Sequence, residues 1–197
     1  MSFQKKLGFA GLVAFLFAGA SFAQTWGVGA SLGITDDVTR RIHLDEFKGR
    51  DVNLWADYQI EEKVLARVTF GTLKAKGVNA GQTVTVTPGS APQTLPDLPD
   101  KIDYLTAGVS YEFWEGYYTS GLFAGIGGYK IRPEGVEASL AGFRDQRESV
   151  FGFHAGVDGS FKIISKVALG ARLTYHNIRA TATKGLLTAN VTLSYRF

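Results

Sequence analysis

A strict alternation of apolar with small or polar residues is the feature that most limits how this chain can fold. In TWGVGASLGIT (25–35), every second residue from Trp26 to Ile34 is apolar, and those between are glycine, serine or threonine. A period of two over this length predicts a β-strand with two chemically different faces. The chain is therefore predicted to be all-β, with eight strands. The pattern returns seven more times, at 52–58, 64–70, 105–113, 118–126, 151–161, 167–175 and 187–197.

The connections between these segments alternate in length. The short ones are expected at 61–63, 115–116 and 162–166, and the long polar ones at 36–50, 76–101, 131–148 and 178–185. Short turns at one end and long loops at the other are typical of a transmembrane barrel with a periplasmic and an external end. We therefore predict an eight-stranded antiparallel up-and-down β-barrel that presents four loops externally.

The register across two of the short turns tests this arrangement. Centring the first turn on residue 62 places Asp57 opposite Arg67 on the polar face. Centring the third turn on residue 164 places Val157 opposite Ala171 and Phe153 opposite Tyr175, on the apolar face. A slip by one residue would mix the two faces, so the agreement supports the strand assignment.

The composition of the two faces decides which one points outward. A soluble up-and-down barrel such as a lipocalin would carry many Lys and Glu residues outside. Here the non-apolar face is mostly Gly, Ser, Thr and Asn, which suits the narrow interior of an eight-stranded barrel. The apolar face should then contact lipid, where a closed barrel satisfies every backbone hydrogen bond. We expect outward side chains at Val68, Val109, Val157 and Leu173.

Aromatic residues are concentrated near the ends of the predicted strands. Membrane barrels carry aromatic girdles at both interfaces, so this distribution supports a lipid-facing exterior. The expected periplasmic girdle comprises Trp26, Tyr58, Phe113, Tyr118, Phe161, Tyr195 and Phe197, and the expected external girdle Phe70, Phe153 and Tyr175.

The start of the chain has the pattern of a secretory signal. Two lysines precede an apolar run at 7–20, and small residues precede a predicted cleavage between Ala23 and Gln24. The run is shorter than the roughly 20 residues that a membrane-spanning helix needs. We therefore divide the chain into a cleaved signal peptide, 1–23, and a barrel domain, 24–197.

Composition narrows the function classes. The chain has no cysteine, so disulfides cannot stabilise it. Its formal net charge of +3 includes the two lysines of the signal, and no basic patch argues for a nucleic-acid partner. No motif indicates a cofactor or a metal site.

The last strand, LLTANVTLSYRF, ends on an aromatic residue. Leu193 and Tyr195 share a face with Phe197. This ending resembles the C-terminal signal that the barrel assembly machinery reads. With the signal peptide and the eight strands, residues 24–197 resemble the small outer-membrane barrels of the OmpA, OmpX and OmpW type. The resemblance implies residence in a Gram-negative outer membrane, contact with its lipids and insertion by that machinery.

Several ionisable residues project into the predicted lumen. They could form a path for protons or ions, or a gate. They could instead be a paired network that fills the lumen, since buried charges need partners. The second interpretation is favoured because the opposite charges are distributed for pairing, with Arg172 expected diagonally from Asp158. The set is Asp57, Arg67, Glu112, His154, Asp158, Arg172 and Arg196.

Three function classes follow. The favoured one is a structural or interaction protein with a filled lumen, and its rival is a narrow channel or conduit for small or hydrophobic molecules. The third is a lipid-modifying enzyme, because outer-membrane lipid A deacylases carry a serine two residues after a histidine. Here Ile178 follows His176 and Gly156 follows His154 at that spacing. Without a nucleophile the mechanism fails, so no enzyme is predicted.

The longest loop, 76–101, contains four of the five prolines and many small polar residues. It is either a binding surface or a solvated loop without a fixed partner. Its Thr-Val-Thr-Val-Thr segment, 83–87, could extend the barrel wall as a hairpin.

Overall fold

Strands account for nearly all of the part of the chain that the computed structural model describes. The described residues are 26–38, 49–75, 83–84, 93–94, 100–114, 116–133, 148–180 and 185–197. The predicted cleavage site at Ala23 and Gln24 lies outside them. The strands are β1 (Trp26–Asp37), β2 (Gly49–Glu61), β3 (Val64–Ala75), β4 (Thr83–Val84), β5 (Gln93–Thr94), β6 (Asp100–Trp114), β7 (Tyr118–Pro133), β8 (Glu148–Ile164), β9 (Val167–Asn177) and β10 (Gly185–Arg196).

Eight of these strands close into one antiparallel barrel, in the order β1-β10-β9-β8-β7-β6-β3-β2. Closure occurs where β1 pairs with β10, so every barrel strand has two hydrogen-bonded neighbours. The predicted eight-stranded up-and-down topology is confirmed. The remaining strands, β4 and β5, form a separate two-stranded sheet. Residues 83–84, the described part of the predicted 83–87 hairpin, pair with residues 93–94 and do not extend the barrel sheet. Residues 85–87 lie outside the described part.

The exterior of the barrel is apolar. Val68, Val109, Val157 and Leu173 all point outward, with 44–54% of their surface exposed, as predicted. Exposed leucines, valines and phenylalanines occupy the same face of the barrel strands. A soluble monomer rarely exposes apolar patches of this extent, whereas lipid accommodates them. The described residues include no helix that is long and apolar enough to cross a membrane.

Aromatic pairs mark the end of the barrel that carries the short turns. Their rings are in contact on the outer face of adjacent strands or along the same strand, as expected of a girdle. The pairs and centroid separations are Trp26–Tyr58 at 4.8 Å, Tyr118–Phe161 at 4.8 Å and Tyr195–Phe197 at 5.0 Å.

The register of the β2–β3 hairpin is as predicted, with Asp57 opposite Arg67. The predicted register of the β8–β9 hairpin is wrong by two residues. Val157 pairs with Leu173 rather than Ala171, and Tyr175 pairs with Ala155. The turn lies at residues 165–166 rather than being centred on residue 164, which by itself would shift the pairing by three residues, and a bulge between Lys162 and Ile164 reduces the shift to two. The shift of two keeps every side chain on its predicted face, because the side-chain period is also two.

The interior is less uniformly polar than the sequence suggested. At the loop end of the barrel, apolar side chains turn inward and pack together as a buried cap. These side chains are fully or almost fully buried, so this end of the lumen has the core of a soluble β-protein. The cap comprises Leu73, Ala75, Ile102, Tyr104, Tyr129, Ile131, Ile178, Ala180 and Leu186, with Val150 packed against it.

Candidate functional site

Charged side chains from opposite walls meet in the middle of the lumen. Asp57 on β2, Arg67 on β3, Asp158 on β8 and Arg172 on β9 are the four members, and we call them the central cluster. The two pairs of strands lie on opposite sides of the barrel order. The formal charges of the cluster cancel, which lowers the cost of burying it.

Arg67 holds the central cluster together. Its Nε lies 2.7 Å from Asp57 Oδ1, and its Nη2 donates to Asp57 Oδ2 at 3.0 Å. Its Nη1 donates across the lumen to Asp158 Oδ2 at 2.9 Å. The guanidinium therefore makes a bidentate contact within one wall and a further contact with the opposite wall. Fork geometry of this kind is available to arginine and not to lysine.

Arg172 completes the cluster from the other side. It lies directly opposite Asp158 across β8–β9, not diagonally as predicted, because of the register shift described above. Its Nη2 donates to Asp158 Oδ2 at 3.2 Å. Its guanidinium also lies 3.9 Å from the ring centroid of Trp55 and 5.0 Å from that of Phe123. Contact with aromatic faces stabilises a desolvated cation.

The inward aromatic rings fit because glycines face them. Trp55 lies directly opposite Gly29, where a Cβ atom would overlap the indole ring. Phe123 lies in the same way opposite Gly156. The glycine-rich segments of the sequence therefore provide the space for the rings that pack against the two arginines.

A second ion pair lies nearer the short-turn end of the lumen. Arg196 on β10 donates from Nη2 to Glu112 Oε1 on β6. Three strands separate β6 from β10 in either direction round the barrel, so the pair joins diametrically opposite walls. Between this pair and the central cluster lies a cavity of about 50 Å³.

His154, the last of the predicted lumen residues, is not part of either ion-pair group. It is buried, and its ring lies 5.8 Å from that of Phe123 and 5.8 Å from that of His176. His176 in turn shares a hydrogen bond of 3.1 Å between its Nδ1 and the Tyr129 hydroxyl group. Ile178, at the position where a deacylase-like serine would stand, is fully buried in the apolar cap.

A buried carboxylate at Asp51 was missed by the sequence analysis. It accepts hydrogen bonds from Asn190 Nδ2 at 2.6 Å, Asn53 Nδ2 at 2.8 Å and the Tyr104 hydroxyl group at 3.3 Å. The sequence did contain a signal for it, because Asp51 lies six residues before Asp57 and alternation places both side chains on the inner face of β2. It lay just outside the predicted strand, because β2 begins three residues earlier than predicted.

These layers leave little open space along the lumen. A cavity of about 10 Å³ lies among Phe123, His154, Arg172 and His176, which is room for one water molecule. The apolar cap lies beyond it, towards the loop end. Within the described residues, no group of three or more His, Asp or Glu side chains is arranged to hold a metal ion.

The terminal aromatic residue, Phe197, lies at the barrel seam. Its backbone nitrogen donates to the carbonyl oxygen of Trp26 at 2.8 Å, which joins the end of the last strand to the start of the first. The ring of Phe197 contacts that of Tyr195 on the outer face. Leu193 is exposed on the same face.

The protein resembles known proteins in its fold but not in its sequence. No protein-family model matches the sequence. No curated protein matches it either. Among solved structures, a major outer membrane protein from Thermus thermophilus aligns with a TM-score of 0.61 at 13% identity, covering 89% of this chain and 100% of that one.

Two further barrels align over a similar extent. Neisserial surface protein A has a TM-score of 0.55 at 14% identity, with 88% of this chain and 95% of that chain covered. The N-terminal β-barrel domain of Pseudomonas aeruginosa OprF has a TM-score of 0.53 at 11% identity, with 88% and 97% covered. The chain therefore has the fold of the small eight-stranded outer-membrane β-barrels, and its apolar exterior is that of a protein that spans a membrane.

Proposed function

We propose that this outer-membrane barrel is a non-conducting structural or interaction protein, which closes its lumen with side chains and presents four external loops. The observation that carries the proposal is the bridging of the lumen by Arg67 and Asp158, which come from opposite walls. An ion crossing the barrel would have to break this contact and displace a desolvated guanidinium.

The other layers of the lumen support the same function. The Glu112–Arg196 pair lies on the path towards the short-turn end. The apolar cap lies on the path towards the loop end, where an ion would lose its hydration without gaining polar ligands. A permeating ion would therefore meet three barriers of different chemistry in series.

A narrow conduit is the rival function. A lateral conduit would need a gap between two strands, whereas each barrel strand here is hydrogen-bonded to both neighbours. Catalysis has less support, because His176 is engaged with Tyr129 and the residue two positions later is the buried Ile178. Residence among outer-membrane lipids and insertion by the barrel assembly machinery complete the proposal.

Single-channel recording tests the proposal directly. The protein, refolded and reconstituted in planar lipid bilayers, is expected to leave the bilayer at its baseline conductance. Insertion should be verified separately, by protection of the barrel from added protease. Regular conductance steps from verified, wild-type barrels would contradict a closed lumen and favour the conduit.

A further inference from the structure

The outer face of β2, β3, β6 and β7 changes from apolar to basic at the loop end. On β3, β6 and β8 the last apolar level is formed by Phe70, Leu105 and Phe151, each with more than half of its surface exposed. On β2 it lies one level further, at Val52, which is opposite Thr72. Two residues further along the strands, the outward positions opposite one another are Thr72, Asp103, Lys130 and Ser149. The chemistry of the exterior thus changes over a distance of about 7 Å along a strand.

The next level is a row of four basic residues on four adjacent strands. Arg50 is opposite Lys74, Lys74 is opposite Lys101, and Lys101 is opposite Arg132. We call these four residues the external basic row. Adjacent strands are about 4.8 Å apart, so the four side chains originate within roughly 15 Å of wall.

Among the described side chains of this surface, basic residues outnumber acidic ones. Among the described outward side chains at these levels of the four strands, Asp103 is the only carboxylate. It contacts Arg132 Nη2, lies 4.0 Å from Lys101 Nζ and accepts a hydrogen bond from Thr72 Oγ1. Lys130, directly opposite Asp103, adds a fifth basic group. The described side chains of this surface therefore carry a net positive charge, which would attract an anion.

The row lies on the water side of the apolar band, within side-chain reach of the headgroup layer of a membrane. Lys74 lies four residues beyond Phe70, or roughly 13 Å along the strand. Strand tilt of about 40° reduces this to about 10 Å above the last apolar level. The headgroup layer is about 5–7 Å deep on each side, so the lysine and arginine side chains reach it by extending a few ångströms back towards the membrane, as long basic side chains do.

A notch in the apolar wall lies directly below the row. Gly128 faces outward between Leu105 and Phe151, which are its partners on the two neighbouring strands. A Cβ atom at Gly128 would meet nothing within 4 Å, so the notch is open to the lipid side. Its width is that of a single missing side chain between two large ones, which suits an acyl chain.

We infer that the external basic row and Lys130 bind the phosphate groups of an anionic lipid of the external leaflet, with an acyl chain in the notch at Gly128. The inference rests on the proposed function, which places the barrel in the outer membrane with its long loops on the external side. It adds a lipid site that the closed lumen neither requires nor predicts. The bound lipid would pack against Leu105 and Phe151.

The test uses the refolded full barrel in a neutral maltoside detergent, with diphosphorylated lipid A as the probe and native mass spectrometry as the readout. Wild-type protein is expected to retain the lipid. The variant Arg50→Gln/Lys74→Gln/Lys101→Gln/Arg132→Gln should lose affinity on the order of a hundredfold, since each basic residue near an anionic surface contributes a few-fold.

The matched control removes basic residues from the opposite end of the barrel. Lys63→Gln/Lys162→Gln/Lys166→Gln changes three exposed lysines in or beside the short turns and should retain the lipid like wild type. Gly128→Leu tests the notch independently, in a position with space for a side chain, and should weaken retention several-fold. Wild-type retention should also weaken with added salt, because the contacts are ionic.

Several results would overturn the inference. They are failure of the wild type to retain the lipid, equal loss in the basic-row and control variants, and unchanged retention in both the basic-row and Gly128→Leu variants. None of these results depends on conductance, so failure here is distinguishable from failure of the closed-lumen proposal.

Discussion

Arg67 and Asp158 join opposite walls of the barrel, with 2.9 Å between Nη1 and Oδ2. They are 91 positions apart in the chain and lie on strands that do not pair with each other. Asp57 contacts the Nε–Nη2 edge of the Arg67 guanidinium, and Arg172 forms an ion pair with Asp158. Loss of one member would leave an unbalanced charge in the lumen.

Arg67→Ala should therefore destabilise the barrel by on the order of 3 kcal/mol. The cost arises because Asp57 would stay buried without its bidentate partner. Urea unfolding in lipid vesicles, followed by tryptophan fluorescence, measures the change. Lys63→Ala, in an exposed turn, is the control and should stay within about 0.5 kcal/mol of wild type. Equal stability of both variants would mean that the central cluster contributes little.

The same substitution should lower one of the three barriers to ions in the lumen. Removal of the Arg67 side chain breaks the hydrogen bond that joins β3 to β8 across the lumen and enlarges the neighbouring cavity. We expect Arg67→Ala to conduct more than wild type in planar bilayers. If the variant is destabilised but does not conduct, the main barrier to ions lies in the Glu112–Arg196 pair or in the apolar cap.

Gly29→Ala should be more costly than its small size suggests. The added methyl group would overlap Trp55 Cζ2, and Trp55 could not move without leaving the Arg172 guanidinium. Overpacking of this kind costs about 1–3 kcal/mol. Gly128→Ala is the matched control, with open space at its Cβ, and should be close to neutral in the same unfolding assay. Similar losses for both would point to a general need for glycine in the wall.

Two apolar residues of β6 should respond differently to truncation. Ile102→Ala would leave a cavity in the buried cap, at a cost of about 2–5 kcal/mol. Leu105→Ala, on the outer face, should cost less, because lipid can fill the space. Unfolding free energies in vesicles compare the two. A larger loss for Leu105→Ala would argue against a packed apolar cap.

Lysine substitutions should locate the edge of the membrane. Val68→Lys places a charge on the apolar band and should destabilise the folded barrel by about 2–4 kcal/mol if it lies near the bilayer midplane. Ser149→Lys faces outward at the level of Lys130 and should cost less than about 1 kcal/mol. The free energy of unfolding in vesicles provides the comparison. Equal costs would contradict the boundary assigned to Phe70, Leu105 and Phe151.

Deletion of Phe197 should impair insertion into the outer membrane without greatly altering export. The residue is both the terminal aromatic of the predicted assembly signal and a hydrogen-bond donor to Trp26 at the seam. Fractionation of cells measures the outer-membrane and periplasmic amounts. Phe197→Tyr keeps the ring and the backbone and should insert normally. Normal outer-membrane levels of the truncated protein would remove Phe197 from the assembly signal.

Alternation along the sequence was sufficient to predict the number of barrel strands and the outward side of each. Val68, Val109, Val157 and Leu173 follow from it, because a pleated strand assigns alternate side chains to opposite faces whatever the partner strand. The first hairpin register followed as well, because centring that turn on residue 62 gives the pairing that holds beyond the bulge between Gln59 and Glu61. The second failed because its turn lies at residues 165–166, and the resulting shift of two residues leaves the alternation of both strands unchanged, so the pattern could not reveal it.

Closure of the barrel accounts for what local pattern could not predict. Alternation placed Arg67 and Asp158 on the inner face, but only the closed order of the strands brings β3 and β8 within one hydrogen bond of each other. The buried cap was hidden for a related reason. Alternation places Ile102 and Leu186 on the inner face. Whether an inward side chain meets a polar or an apolar layer depends on its height along the barrel, which the alternation does not give. The amino-acid sequence alone was therefore enough to predict the strands and their faces. Which inward side chains meet depended on the folded barrel, because those contacts join strands that are distant along the chain.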